Sequence, residues 1–174
     1  TAIFATISII EDRREGFLQG VLVAPVPRWT VVLGKVLGGT AIAMLQGLIF
    51  LVLGWLTVNQ VSPTAVGFVA AVVLMFVDAL ALTALGFVLA WRMDSVQGYH
   101  AIMSVLLFPM WLLSGAFFPL ETGGWLGWIV RANPLTYGVA GLRHYLESEG
   151  VGAFPSIGLC WAVSIAFAVV MLAA

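Results

Sequence analysis

Charged residues cut the chain into apolar stretches of unequal length. Four of them, about 30–57, 65–91, 99–118 and 156–174, are charge-poor. Each is near or above the roughly 20 residues a helix needs to cross a bilayer core of about 30 Å. Residues 1–10 are apolar but too short, and the chain does not open on Met, so they are expected to be the end of a further spanning helix. Between the spans lie two segments of mixed character, 11–28 and 119–150, which are neither plain loops nor plain spans.

Composition agrees with this division. Of 174 residues, 62% are hydrophobic and only 9% charged, against about 25% charged in a soluble domain, and the mean hydropathy is +1.11. These values point to an integral, all-α membrane protein and exclude a disordered chain. One cysteine rules out a disulfide scaffold, and 7 Lys and Arg against 8 Asp and Glu give no basic surface for nucleic acid. If the spans alternate, Arg13, Arg14, Arg28, Lys35 and Arg92 share one side, with Arg131 and Arg143 on the other. The first side is then expected to be cytoplasmic.

In the first mixed segment a charged run, Glu11 to Glu15, precedes Phe17, Leu18, Val21 and Leu22, which fall on one helical face, while Glu15 and Gln19 turn away. Pro25 and Pro27 end the pattern, and Gly16 and Gly20 leave a smooth strip. This is the pattern of an amphipathic helix on the membrane surface; a connector whose charges mark the membrane edge has the same composition. In the second mixed segment Asn133-Pro134 forms a helix start, Asn as cap and Pro at the first helical position. The helix expected there, about 134–147, places Leu135, Val139, Leu142 and Leu146 on one face and is near 20 Å long, too short to cross. Two short helices dipping into the membrane and returning, or an amphipathic hairpin lying on it, both fit.

Asp78 is the one ionisable group well inside a span, about 20 Å from either end of 65–91. A carboxyl there needs a partner, and Gln46, at similar depth on the preceding span, is the expected one, with Thr83 second. Gly34, Gly38 and Gly39 form a small-residue strip suited to close helix packing. Pro109 is expected to kink its helix. Cys160 is expected to be a small core residue, and His100 and His144 stand too far apart for a metal pair. Gly34-Lys35 is followed by Val36 and lacks the upstream glycine of a phosphate loop, so any ATP must be hydrolysed elsewhere. No catalytic or metal-binding constellation is expected.

The stretch from Leu106 to Arg143 resembles the signature of the ABC-2 type transporter permeases. Its pieces are Ser114-Gly115-Ala116-Phe117-Phe118-Pro119-Leu120, Trp125-Leu126, Asn133-Pro134-Leu135-Thr136-Tyr137 and Leu142-Arg143. The run Glu11 to Gly16, leading to Gly20, Pro25 and Lys35, is similar to the family's cytoplasmic segment between its second and third helices. Gly123-Gly124 departs from a Leu-Pro pair common there. The resemblance implies a polytopic helix bundle with a cytoplasmic coupling helix, Arg14 to Ala24, docking on an ATPase subunit, so that Glu11, Arg13, Arg14, Glu15, Gly16 and Gly20 would serve coupling. It implies an external re-entrant hairpin containing Asn133, Pro134, Tyr137 and Arg143. It further implies an exporter of an amphiphile (drug, lipid or lipid-linked glycan) in a bacterial cytoplasmic membrane, with two ATPase copies carrying ATP and Mg, a second permease copy, and lipid as partners. A membrane-embedded enzyme or scaffold acting on lipids is the alternative.

Overall fold

The computed structural model describes residues 7, 10, 11, 28–57, 63–115, 124–146 and 155–174. Six helices longer than one turn lie among them: α1 (Arg28–Thr57), α2 (Ala65–Trp91), α3 (Val96–Leu112), α4 (Trp125–Ala132), α5 (Pro134–Leu146) and α6 (Ile157–Ala173). No strand occurs among the described residues. Two of the helices, Trp29–Thr57 within α1 and Ala65–Trp91, are long and apolar enough to cross a membrane.

Local chemistry sets the ends. The Thr64 hydroxyl accepts the Gly67 N–H at 3.0 Å and opens α2, and Ser95 does the same for α3 through Gly98 N–H at 3.3 Å. That cap starts α3 three residues before the expected Tyr99. The helix also stops early, at Leu112 rather than 118. Pro109 donates no hydrogen bond and stands inside the last turn. Leu113 N–H closes that turn on the Pro109 carbonyl at 2.9 Å, and Gly115, at φ 81°, leads the chain out in a left-handed conformation. At 17 residues, α3 and α6 are each about 26 Å long, so both are shorter than the bilayer core.

Helix α2 is the hub, packing against α1, α5 and α6. Its buried positions are mostly small: Gly67, Ala71, Ala81, Thr83, Ala84, Gly86 and Ala90, with Leu74 and Phe87. Small side chains let backbones approach closely, which is how helices associate where the surroundings are as apolar as the side chains. Near the Trp91 end, Ile10, Val36, Ala84, Phe87, Ala90, Tyr99 and Met103 form one cluster that sets Ile10 against α1, α2 and α3.

The glycine strip of α1 divides. Gly39 is buried, but a Cβ on Gly34 or Gly38 would meet nothing within 4 Å, so close packing is not seen at those two among the described residues. Further along α1, a Cβ on Gly47 would stand 2.7 Å from Met75 Sδ.

Candidate functional site

Helix α5 is built to lie against α2. Its buried residues are Thr136, Gly138, Ala140 and Gly141; Leu135, Val139, Leu142 and Leu146, which the sequence places on one face, are only half-buried. A Cβ on Gly141 would stand 2.5 Å from Leu74 Cδ2 and 3.2 Å from Cys160 Cβ. One on Gly67 would stand 3.1 Å from the Tyr145 carbonyl oxygen. Gly138 lies directly on the Asp78 carboxyl, where both oxygens occupy the space a Cβ would need. The pairs 145–67, 141–74 and 138–78 set the two helices antiparallel. Tyr145 is at the Ala65 end of α2, and the Pro134 end of α5 reaches its middle.

Asp78 is the central residue of α2. Its neighbours are Gly138 of α5 and Ser164 of α6, which interacts with the carboxyl. Ser164 is 1% exposed, and its Oγ makes no hydrogen bond of ordinary geometry. Gln46, expected to face Asp78, stands on an exposed part of α1, and the Thr83 hydroxyl donates to the Ala79 carbonyl at 2.7 Å. The residues described against Asp78 come from α5 and α6, and Ser164 was not among the candidates read from the sequence. The spacing Gly138-x-x-Gly141 was the one available signal, since it places two gaps on adjacent turns.

The α4–α5 turn is equally specific. Asn133 caps α5 with Oδ1, which accepts the Leu135 N–H at 3.1 Å, and Pro134 needs no acceptor. Asn133 Nδ2 donates to the Met110 carbonyl at 2.6 Å. The Thr136 hydroxyl donates to the Val130 carbonyl at 2.7 Å, with the Leu113 carbonyl 3.3 Å away, and Ser114 Oγ donates to Trp111 O at 2.7 Å. The last carbonyls of a helix have no partner within it; here those of α3 receive the turn's side chains. Tyr137 is half-buried, and its hydroxyl donates to the Arg131 carbonyl at 2.8 Å. Arg143 is half-buried one turn before the end of α5, where Trp161 Nε1 donates to the Tyr145 hydroxyl at 3.0 Å. Glu11 is exposed and helical, while Arg13, Arg14, Glu15, Gly16 and Gly20 lie outside the described residues. Cys160 is buried against α5.

Residues 1–146 match the family model described as ABC-2 type transporter. The chain belongs to the ABC-2 type transporter family. It is also similar to the probable multidrug ABC transporter permease YbhR of Escherichia coli strain K12, with 26% identity over 136 residues, 78% of this chain and 36% of that protein. The YbhR of Escherichia coli O157:H7 matches to the same extent. The chain thus spans about a third of the length of the curated relatives it matches. As a member of the ABC-2 family it is an integral membrane protein. The broad apolar exterior, with Phe50 and Val105 more than 70% exposed, then has lipid or protein to meet instead of water. In that setting unpaired backbone groups are costly, which explains why the turn at Asn133 is so fully bonded.

Proposed function

We propose that the protein carrying this chain is the membrane subunit of an ABC exporter in a bacterial cytoplasmic membrane. It moves an amphiphilic substrate, a drug, lipid or lipid-linked glycan, with ATP and Mg held by a separate ATPase present in two copies, and it pairs with a second permease copy. In this reading α4 and α5 are a re-entrant hairpin entering from the outer face, and the segment 11–28 is the cytoplasmic coupling segment.

The observation that carries the reading is the register of α5 on α2. A hairpin resting on the membrane surface would touch only the end of a spanning helix, whereas Gly138 meets α2 at its central residue. A short helix pair that reaches mid-span and returns closes one end of a path without crossing it. Coupling would run from a rigid helix on the ATPase through the span joined to it, as a rigid-body tilt.

The test is export and ATP hydrolysis by the full-length protein reconstituted with its ATPase. Arg14→Glu and Gly16→Leu are expected to leave membrane insertion intact, retain ATP hydrolysis and abolish its coupling to export. Normal export in both variants would overturn the coupling assignment.

A further inference from the structure

The geometry points to a binding notch on α3 for the ammonium head of an amphiphile, whose N–H donates to the Val105 carbonyl that Pro109 deprives of its helical partner. This names a substrate class for the exporter reading and rests on it.

Proline has no N–H, so the bond that residue 109 would give the carbonyl four residues earlier is missing, and the ring crowds that carbonyl off the helix axis. Pro109 stands inside α3, and the carbonyl concerned belongs to Val105, which is 77% exposed. Pro109 is exposed as well, whereas the buried residues of α3 are Tyr99 and Met103. An open cavity of about 690 Å³ lies at this place, and its described lining is Met103, Ser104, Val105, Leu107, Phe108 and Pro109. Small-molecule sites run from about 300 to 1,000 Å³. The one polar side chain in the lining is Ser104, exposed beside Val105.

Depth makes the carbonyl matter. Beyond Pro109, the Met110 and Leu113 carbonyls stand against Asn133 and Thr136 of the hairpin turn, and the register of Gly138 on Asp78 carries that turn to the middle of α2. Val105 precedes Met110 by little more than one helical turn. Its carbonyl therefore lies in the apolar layer, where a bare acceptor is costly and a bound donor is correspondingly favoured.

The surroundings select a positively charged donor. Helix α3 contains no lysine or arginine, and its last turn, which begins near Pro109, favours positive charge as helix C-termini do. Phe108 is 60% exposed and Trp111 51%, with ring centroids 6.2 Å apart, and aromatic faces attract ammonium groups. A primary ammonium on an alkyl chain supplies the N–H, the charge and the apolar body together.

The experiment uses the full-length protein with its ATPase in phosphatidylcholine nanodiscs. It measures affinity for dodecylammonium and for dodecyltrimethylammonium, which keeps the charge and chain but has no N–H. Pro109→Ala restores the helical donor to the Val105 carbonyl and should weaken dodecylammonium about tenfold, as loss of one charge-assisted hydrogen bond requires. The same variant should leave dodecyltrimethylammonium within about twofold of wild type, because no hydrogen bond is lost. Alanine is favoured in a helix interior, so the variant keeps its fold. Phe108→Leu should weaken both ligands alike, by about threefold. Unchanged dodecylammonium affinity in Pro109→Ala, or an equal loss of both ligands, would overturn the notch.

ATP-driven movement of dodecyltrimethylammonium in vesicles, where its fixed charge slows passive crossing, tests the exporter reading separately. Failure of ATP to move it in wild type overturns that reading and leaves the comparison of affinities to decide the notch.

Discussion

Helices α1 and α5 are both apolar, and they are held in opposite ways. Over its 30 residues α1 buries Val36, Gly39 and Thr40, and most of its large side chains, Leu45, Phe50 and Leu56 among them, are exposed. In its 13 residues α5 buries Thr136, Gly138, Ala140 and Gly141 and is bonded to α3 through the residue that caps it. Length and hydropathy place a helix in the membrane, as α1 illustrates. Small residues and side chain to backbone hydrogen bonds then decide which helices fit together, as α5 does, because apolar surface gains little by leaving lipid for protein.

The sharpest way to break this contrast is to make the same kind of change on both helices. Gly138→Ala drives a methyl group into the Asp78 carboxyl and should cost about 2 kcal/mol or more, through overpacking and disturbance of a buried polar group. Gly38→Ala on α1 meets open space and should be neutral or stabilising by up to about 1 kcal/mol. Thermal unfolding in detergent measures both, and equal effects would dissolve the distinction.

A smaller effect is expected at the turn. Asn133→Ala removes the cap of α5 and the bond to Met110, together worth about 2 kcal/mol, and should raise protease sensitivity of the hairpin. Thr136→Val, with nearly the same shape, should cost about 1 kcal/mol. At the bottom of the scale, Phe50→Ala on the exposed face of α1 should change stability by less than about 0.5 kcal/mol. A larger loss, visible on dilution, would mean that a second protein copy covers that face.

The two long spans were legible because three of their four ends are marked in sequence, by charge at Arg28 and Arg92 and by a capping residue at Thr64. The start of α5 was legible for the same reason, since Asn133-Pro134 is a local signal. The end of α3 was not: an apolar run continues through Phe118, but Pro109 followed by a left-handed Gly115 ends the helix at Leu112. The packed face of α5 was not legible, because a periodicity of leucines marks the inner face only where water surrounds the protein.

The sequence by itself determined that this is a membrane protein of helices, where its spans lie, and that Asp78 must be enclosed by something. All three follow from the cost of placing charge and bare backbone in an apolar medium, which depends on residue type and spacing alone. The partners of Asp78 and the register that carries the turn at Asn133 to the middle of α2 were decided only in three dimensions. Glycines and serines carry no directional signal along the chain, and what they admit depends on which helix comes to lie against them.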